Sequence, residues 1–207
     1  MKNLKILLLL AVTFVSGCEI YDANKASDNY YLNPDKDLAN IGRVTLIELA
    51  NESSFPAISS DATEALSQAI QKKSLFGLSA ISQSDSAWRS LQLDMDSSYT
   101  LTQLSAIRDS LNSDALLIGT VTTFKPYPHM TIGLRLKMLD LTDGQLIWAT
   151  EQIWDSTDKT VENRIKSYYD GNIFRSATLG EQLGTISSLK FIKFVAHEVS
   201  QTMKPKK

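Results

Sequence analysis

The sequence predicts an α/β domain of the α+β type: a mixed or antiparallel sheet of about five strands with helices covering one face, in the order β-α-β-α-β-β-β-α-α. Three observations carry this. The runs 43–50 and 115–124 are dense in apolar and β-branched residues. Residues 131–141 alternate, with Ile132, Leu134, Leu136 and Met138 on one side and Gly133, Arg135 and Lys137 on the other, as a sheet with one dry and one wet face requires. Around these runs, apolar residues recur at helical spacing behind residues that cap helices.

In chain order, 43–50 is a central strand and 51–56, ending Phe55-Pro56, turns the chain. Asp61 and Glu64 have capping-box spacing, and Ala62, Ala65, Leu66, Ala69 and Ile70 follow on one stripe, so a helix runs to about Lys73. Residues 75–81 read as a short strand with Phe76, Leu78 and Ala80 on one side, and the Ser- and Asp-rich stretch around Trp88 as a helical turn or two and a loop. Thr100 and Gln103 form a second capping box, heading a helix to Asn112 whose face is Leu101, Leu104, Ile107 and Leu111. After the strand at 115–124 and the loop 125–129, the alternating strand turns at Thr142-Asp143-Gly144, with glycine where a positive φ is needed, and 145–154 returns as its partner. Ser156 or Thr157 caps a helix to about Tyr169, and 170–185 is a loop or broken helix. Ser187 or Ser188 starts a last helix that buries Ile192, Val195, Ala196, Val199 and Met203.

The first residues have a different character. Lys2 and Lys5 precede 6–15, an uncharged run too short for a spanning helix, which needs about 20 apolar residues. That is the order of parts of a signal peptide. It ends in Val15-Ser16-Gly17-Cys18, which resembles the lipobox of bacterial lipoproteins: a branched apolar residue, two small ones and the cysteine. Small residues let a peptidase approach extended backbone beside the bilayer. The resemblance implies cleavage between Gly17 and Cys18, a diacylglyceryl group on the Cys18 thiol and an acylated new amino terminus; two or three acyl chains hold a protein on a membrane where one does so marginally. It also makes Glu19 a sorting position, leaning toward the outer membrane, because an aspartate there favours inner-membrane retention in enteric bacteria. Cys18 is the single cysteine, so no intramolecular disulfide forms.

The expected organisation is a leader at 1–17, a lipidated N-terminus and flexible tether at 18–42, one domain at 43–203 and a basic tail at 204–207. The tether assignment rests on Asp, Asn, Lys, Ser and Tyr without an apolar period, and the tail reads as a solvated, frayed end. From Cys18 onward the 190 residues carry 19 basic and 23 acidic side chains, a formal charge of −4 with the signs interspersed. That length suits one domain with a sizeable core. The charge pattern argues against nucleic acid, which asks for a concentrated basic face.

Several of these residues fall in a recognisable order: the strand at 43–50, Ser113-Asp114 before Leu116-Leu117-Ile118-Gly119, and the hairpin Asp140…Gly144…Trp148. Over about 43–154 the pattern resembles the group of envelope lipoproteins that includes the curli secretion channel subunit and the lipoprotein activators of penicillin-binding proteins. The resemblance implies a domain like the anticodon-binding fold. One such fold serves channels, activators and adaptors alike. The hairpin motif also has a folding role of its own, with Asp140 ending a strand, Gly144 turning and Trp148 covering the sheet.

Little in the chain points to catalysis. His129 and His197 are far apart, without Cys or acidic partners at ligand spacing, so no metal site is expected; they read as ordinary surface residues. No nucleophile elbow and no phosphate-binding glycine loop occurs, and no cofactor is expected. Asp155, Asp158 and Glu162 stand together, but acids at a helix start follow from the helix dipole alone. The best interaction feature is Pro126-Tyr127-Pro128-His129, where two prolines stiffen a loop that presents an aromatic; prolines that keep a connection from pairing with strangers give the plainer reading. Tyr168, Tyr169 and Phe174 are a second aromatic group, which core packing explains. The expectation is a non-enzymatic accessory, assembly or regulatory lipoprotein, held on the membrane through lipid on Cys18, with an envelope protein partner. The alternatives are an oligomeric curli-type channel subunit, with 131–154 as membrane hairpin, and an enzyme acting on envelope polymers.

Overall fold

The computed structural model describes residues 29–82, 84–86, 99–170 and 187–206. Its strands are β1 (Tyr30–Leu32), β2 (Arg43–Ile47), β3 (Ala50–Asn51), β4 (Gly77–Ile81), β5 (Ala115–Lys125), β6 (Thr131–Asp140) and β7 (Leu146–Asp155). Its helices are α1 (Ile58–Gln71), α2 (Leu101–Leu111), α3 (Lys159–Asp170) and α4 (Ser188–Thr202), with a 3-10 turn at Leu38–Asn40.

The alternation of β6 decides which face is dry. Ile132, Leu134, Leu136 and Met138 are at most 1% exposed, in one cluster with Val44 and Leu46 of β2 and Trp148 and Trp154 of β7. Burying each such side chain contributes roughly 1.5–3 kcal/mol. α1 brings Ile58, Leu66 and Ile70 to this cluster, α3 brings Ile165, and α4 brings Phe191, Phe194 and Val199. β5 keeps Ala115, Leu117 and Val121 on the same face, and a register shift between Val121 and Thr123 returns Phe124 to it after an odd step. Gly119 permits the close packing here, since a Cβ would meet the Leu136 side chain and lie 2.7 Å from the Arg135 carbonyl.

The α/β class is as expected, and the sheet is mixed. It has seven strands in the order β1-β7-β6-β5-β2-β4, with β3 also on β5. The pairings β2·β4, β2·β5 and β3·β5 are parallel; β5·β6, β6·β7 and β1·β7 are antiparallel. Two strands exceed the expected five. The run 43–50 divides into β2 and β3 where the Leu49 N–H leaves the ladder to donate to Thr63 Oγ1 at 3.0 Å, and β1 comes from the expected tether. In addition, α2 lies on the opposite face, where Leu104 and Ile107 cover Ile47, Leu116, Ile118 and Leu141.

The helix starts divide similarly. Thr100 and Gln103 form the expected capping box, and Ser187 Oγ accepts the Lys190 N–H. Of the face expected on α2, Leu104 and Ile107 are buried while Leu101 is 65% exposed. The Asp61–Glu64 capping box is not formed. α1 begins four residues earlier, at Ile58, and its cap Ala57 provides no side-chain bond. Pro56, whose φ suits a helix entry, and the burial of Ile58 move the start. β4 is an edge strand whose Ala80 is exposed rather than covered. The expectations at Trp88 and for most of 170–185 lie outside the described residues.

The tether assignment is corrected for 30–42. β1 pairs with β7, the Asn33 N–H donates to the Ile147 carbonyl at 2.8 Å, and Leu38 is fully buried. Main-chain hydrogen bonds and a few apolar side chains hold this segment, so its polar composition concealed it. The tail is also engaged: the Lys206 N–H donates to Asp37 Oδ1 at 3.0 Å, and Lys204 Nζ lies 5.6 Å from the Tyr30 ring centroid.

The β6–β7 turn is closed from within and without. The Gly144 N–H donates to the Asp140 carbonyl at 2.9 Å, and Gly144 has φ +75°. From the corrected segment, Lys36 Nζ reaches Asp140 at 2.8 Å and Asp143 at 2.6 Å. Burial raises the Asp140 pKa, but the bonds from Lys36 and Thr142 outweigh it and hold the carboxyl below its ordinary value. A carboxylate depressed in the folded state contributes stability above its unfolded pKa and loses it as pH falls through the folded one. Asp140→Asn is therefore expected to cost about 1 kcal/mol at pH 7. In urea unfolding, the gap to wild type should close as pH is taken below about 4; a gap unchanged at pH 3 would contradict the clamp.

Candidate functional site

Three connections meet at one end of the sheet: the turn after β3, the β5–β6 loop and the turn after β7. The β5–β6 loop is rooted there by reciprocal bonds, from the Met130 N–H to Ser156 Oγ at 3.0 Å and from the Ser156 N–H to the Met130 carbonyl at 2.9 Å. Between the buried Phe124 and Met130 the chain projects Tyr127, 85% exposed, through a cis Tyr127–Pro128 peptide. Pro128 and His129 are exposed beside it, and Pro126 is half-buried. Rooted ends and two proline rings limit the freedom a partner would have to remove.

The same end carries two apolar side chains that were not singled out from the sequence. Phe55, 42% exposed, packs edge-to-face on Phe124 with centroids 5.5 Å apart. Ile153 is 62% exposed on β7 beside Gly133. A signal for Ile153 existed, because Trp148 and Trp154 assign the even positions of β7 to the core and leave Ile153 on the open face. With Tyr127 these are three of the six large apolar side chains exposed among the described residues.

The acids after β7 are committed to local structure. Asp155 accepts from the Thr157 N–H at 2.8 Å and its hydroxyl at 2.7 Å; these bonds, with Thr131 and the charge of His129, hold its pKa low against burial. Asp158, rather than Ser156 or Thr157, caps α3 by accepting from the Thr160 N–H at 2.7 Å. Glu162 lies between Lys159 at 2.7 Å and Lys166 at 2.6 Å, which bring its pKa down to about 2. Among the described residues, no three His, Cys, Asp or Glu side chains are grouped so as to hold a metal ion.

His197 departs from the surface placement expected of it. It is half-buried, with its ring centroid 4.7 Å from that of Tyr168, and burial followed by the charges of Lys73 and Lys72 lowers its pKa. Tyr168 and Tyr169 pack against the main core as expected, and the Tyr169 hydroxyl donates to the Lys190 carbonyl at 2.7 Å. Gly17, Cys18, Glu19 and Phe174 lie outside the described residues. Among the described residues, no helix is long and apolar enough to cross a membrane.

No protein-family model matches the chain, and no curated protein does. Solved structures similar to it include the PelC dodecamer from Paraburkholderia phytofirmans, at 12% identity and TM-score 0.45 over 82% of this chain and 94% of that one. Lipoprotein GNA1162 from Neisseria meningitidis is similar at 12% identity and TM-score 0.45, over 63% and 96%. The LpoB C-terminal domain from Salmonella enterica is similar at 21% identity and TM-score 0.40, over 55% and 83%.

The carboxylates after β7 allow a direct check of capping against cation binding. Asp158→Ala is expected to lower the midpoint of urea unfolding through loss of the cap. Millimolar calcium or magnesium should leave the wild-type midpoint where it was, and a cation-dependent rise that Asp158→Ala abolishes would overturn the capping role.

Proposed function

We propose that this chain is an exported bacterial lipoprotein, cleaved between Gly17 and Cys18 and anchored through lipid on Cys18. Its domain acts as a non-enzymatic accessory, assembly or regulatory factor of a cell-envelope complex, with Glu19 directing it to the outer membrane facing the periplasm. The observation that carries the reading is the ordered sequence of Lys2 and Lys5, the apolar run and Val15-Ser16-Gly17-Cys18.

The fold adds a constraint on reach. With 30–42 built into the domain, only eleven steps separate Cys18 from Asn29, at most about 40 Å when extended. The β1–β7 register, Tyr30 with Thr150 and Leu32 with Trp148, puts Asn29 on the side of β1 that faces the Asp155 end of β7. That is the end bearing Tyr127, Phe55 and Ile153, and we take it as the contact surface for the envelope protein partner, with Pro126, Pro128 and His129 framing Tyr127.

The rival readings find less support. β6 and β7 bury Trp148 and Trp154 beneath the helices, so using them as membrane strands would strip the core. An enzyme would draw on Asp155, Asp158 and His129, and the first two already serve turns and caps.

Mass spectrometry of the protein isolated from its host's membranes should find an N-terminal fragment beginning at a diacylated Cys18. A photoreactive residue at Tyr127 should trap one discrete envelope protein in intact cells, and the same residue at Asp109 on α2 should not. An intact leader or a Cys18 sulfur without lipid would overturn the anchoring; indiscriminate or absent trapping at Tyr127 would overturn the contact surface.

A further inference from the structure

A second feature lies away from the sheet end, where α1, α3 and α4 enclose a cleft of about 710 Å³. It forms because α1 presents the small Ala65 and Ala69 toward α4, leaving room beneath Lys72 and Lys73 at the helix end. Lys193 and His197, one turn apart on α4, face these lysines, and Tyr168 of α3 closes the side against the imidazole. The volume is that of a pocket for a small organic molecule rather than a single ion.

The charges have one sign. No carboxylate lines the cleft among the described residues. Lys73 Nζ is held by Gln201 Oε1 at 3.4 Å, a neutral acceptor. Glu198 of α4 is committed to Arg164 Nε at 2.8 Å, and Glu64 of α1 accepts from Gln68 Nε2 at 3.0 Å. Lys204, beyond the end of α4, adds its field to Lys73, whose pKa is lowered by burial and then by Lys204. Lys72 and Lys73 follow α1 directly, where cations complement the helix dipole. That accounts for two of the charges. It does not account for Lys193, in the first half of α4, or for a half-buried imidazole among lysines. Cations gathered in a concave site without counter-charge focus a potential that attracts an anion.

We propose that the cleft between α1, α3 and α4 binds a phosphate group, free or carried by an anionic lipid headgroup. Lys72, Lys73 and Lys193 supply the charge, His197 a hydrogen-bond donor, and the Tyr168 ring a wall for whatever the phosphate is attached to. This does not depend on lipidation of Cys18 or on the Tyr127 surface.

The two histidines make the test selective, because His129 sits on the loop at the sheet end and serves as an internal reference. Their proton–carbon resonances would be titrated in the full chain in neutral detergent, in sodium phosphate and in sodium chloride of equal ionic strength. A second pair of titrations would use phosphatidylglycerol vesicles and phosphatidylcholine vesicles. A bound phosphate is expected to raise the His197 pKa by about one unit and leave His129 unmoved. A shift in phosphate identifies a site open to free phosphate compounds; a shift with phosphatidylglycerol alone identifies a headgroup site. Either supports the proposal, provided that Lys72→Gln with Lys193→Gln removes the shift while the amide spectrum stays folded. Identical His197 titrations in all four conditions, equal shifts at both histidines, or a shift that survives the double substitution would overturn it.

Discussion

The arrangement of the molecule depends on where α4 is fixed over the sheet, and that is set by a buried hydrogen bond from Trp148 Nε1 to Thr202 Oγ1, 3.1 Å long. Trp148 is fully buried in β7, where an unmatched indole N–H would cost about 1–3 kcal/mol. The bond therefore fixes the C-terminal turn of α4 above one residue of the sheet. Met203 is buried directly beyond it, and Lys204 passes to the Tyr30 ring, so the same bond leads the tail onto β1. Trp154, six residues along the same strand, shows the alternative. Its Nε1 is buried without a hydrogen bond, close enough to Glu198 to favour the charged carboxylate but not to close on it.

From α4 the other helices take their places. Arg164 Nε meets Glu198 Oε2 at 2.8 Å, with both side chains at most 10% exposed, and this pair registers α3 against α4. Removing two charges from water offsets much of their attraction, so the gain lies in position more than in stability. Burial accordingly pushes the Glu198 carboxyl up, against the pull of Arg164. α1 packs on the other flank of α4, and the basic cleft is the space the three helices leave. The sheet end with Tyr127 is independent of this seam, since it is built from strand connections rooted by Met130 and Ser156. The fold thus separates a stiff apolar projection at the sheet end from a charged recess among helices.

What was legible in the sequence was whatever depends on near neighbours. The β6–β7 hairpin, the Thr100–Gln103 capping box and the buried stripe of α4 each follow from residues within a few turns of one another, and each is present. What depended on distant partners was not legible. β1 looks like tether because its stabilisation comes from main-chain bonds to β7, more than a hundred residues away. Asp61 and Glu64 satisfy a local capping rule that the docking of Ile58 overrides. The Tyr127 loop could be named because two prolines flank an aromatic, whereas Phe55 joins it only through contact with Phe124. The cleft needs residues from 65 to 201 on three helices, and no spacing announces it.

A double-mutant cycle across the seam tests the account at its foundation, with Trp148→Phe and Thr202→Val made singly and together and unfolded in urea. The bond predicts that each single change costs stability and that the pair costs less than the sum, with a coupling of about 1 kcal/mol. Strict additivity would contradict the claim that this hydrogen bond fixes α4 on the sheet.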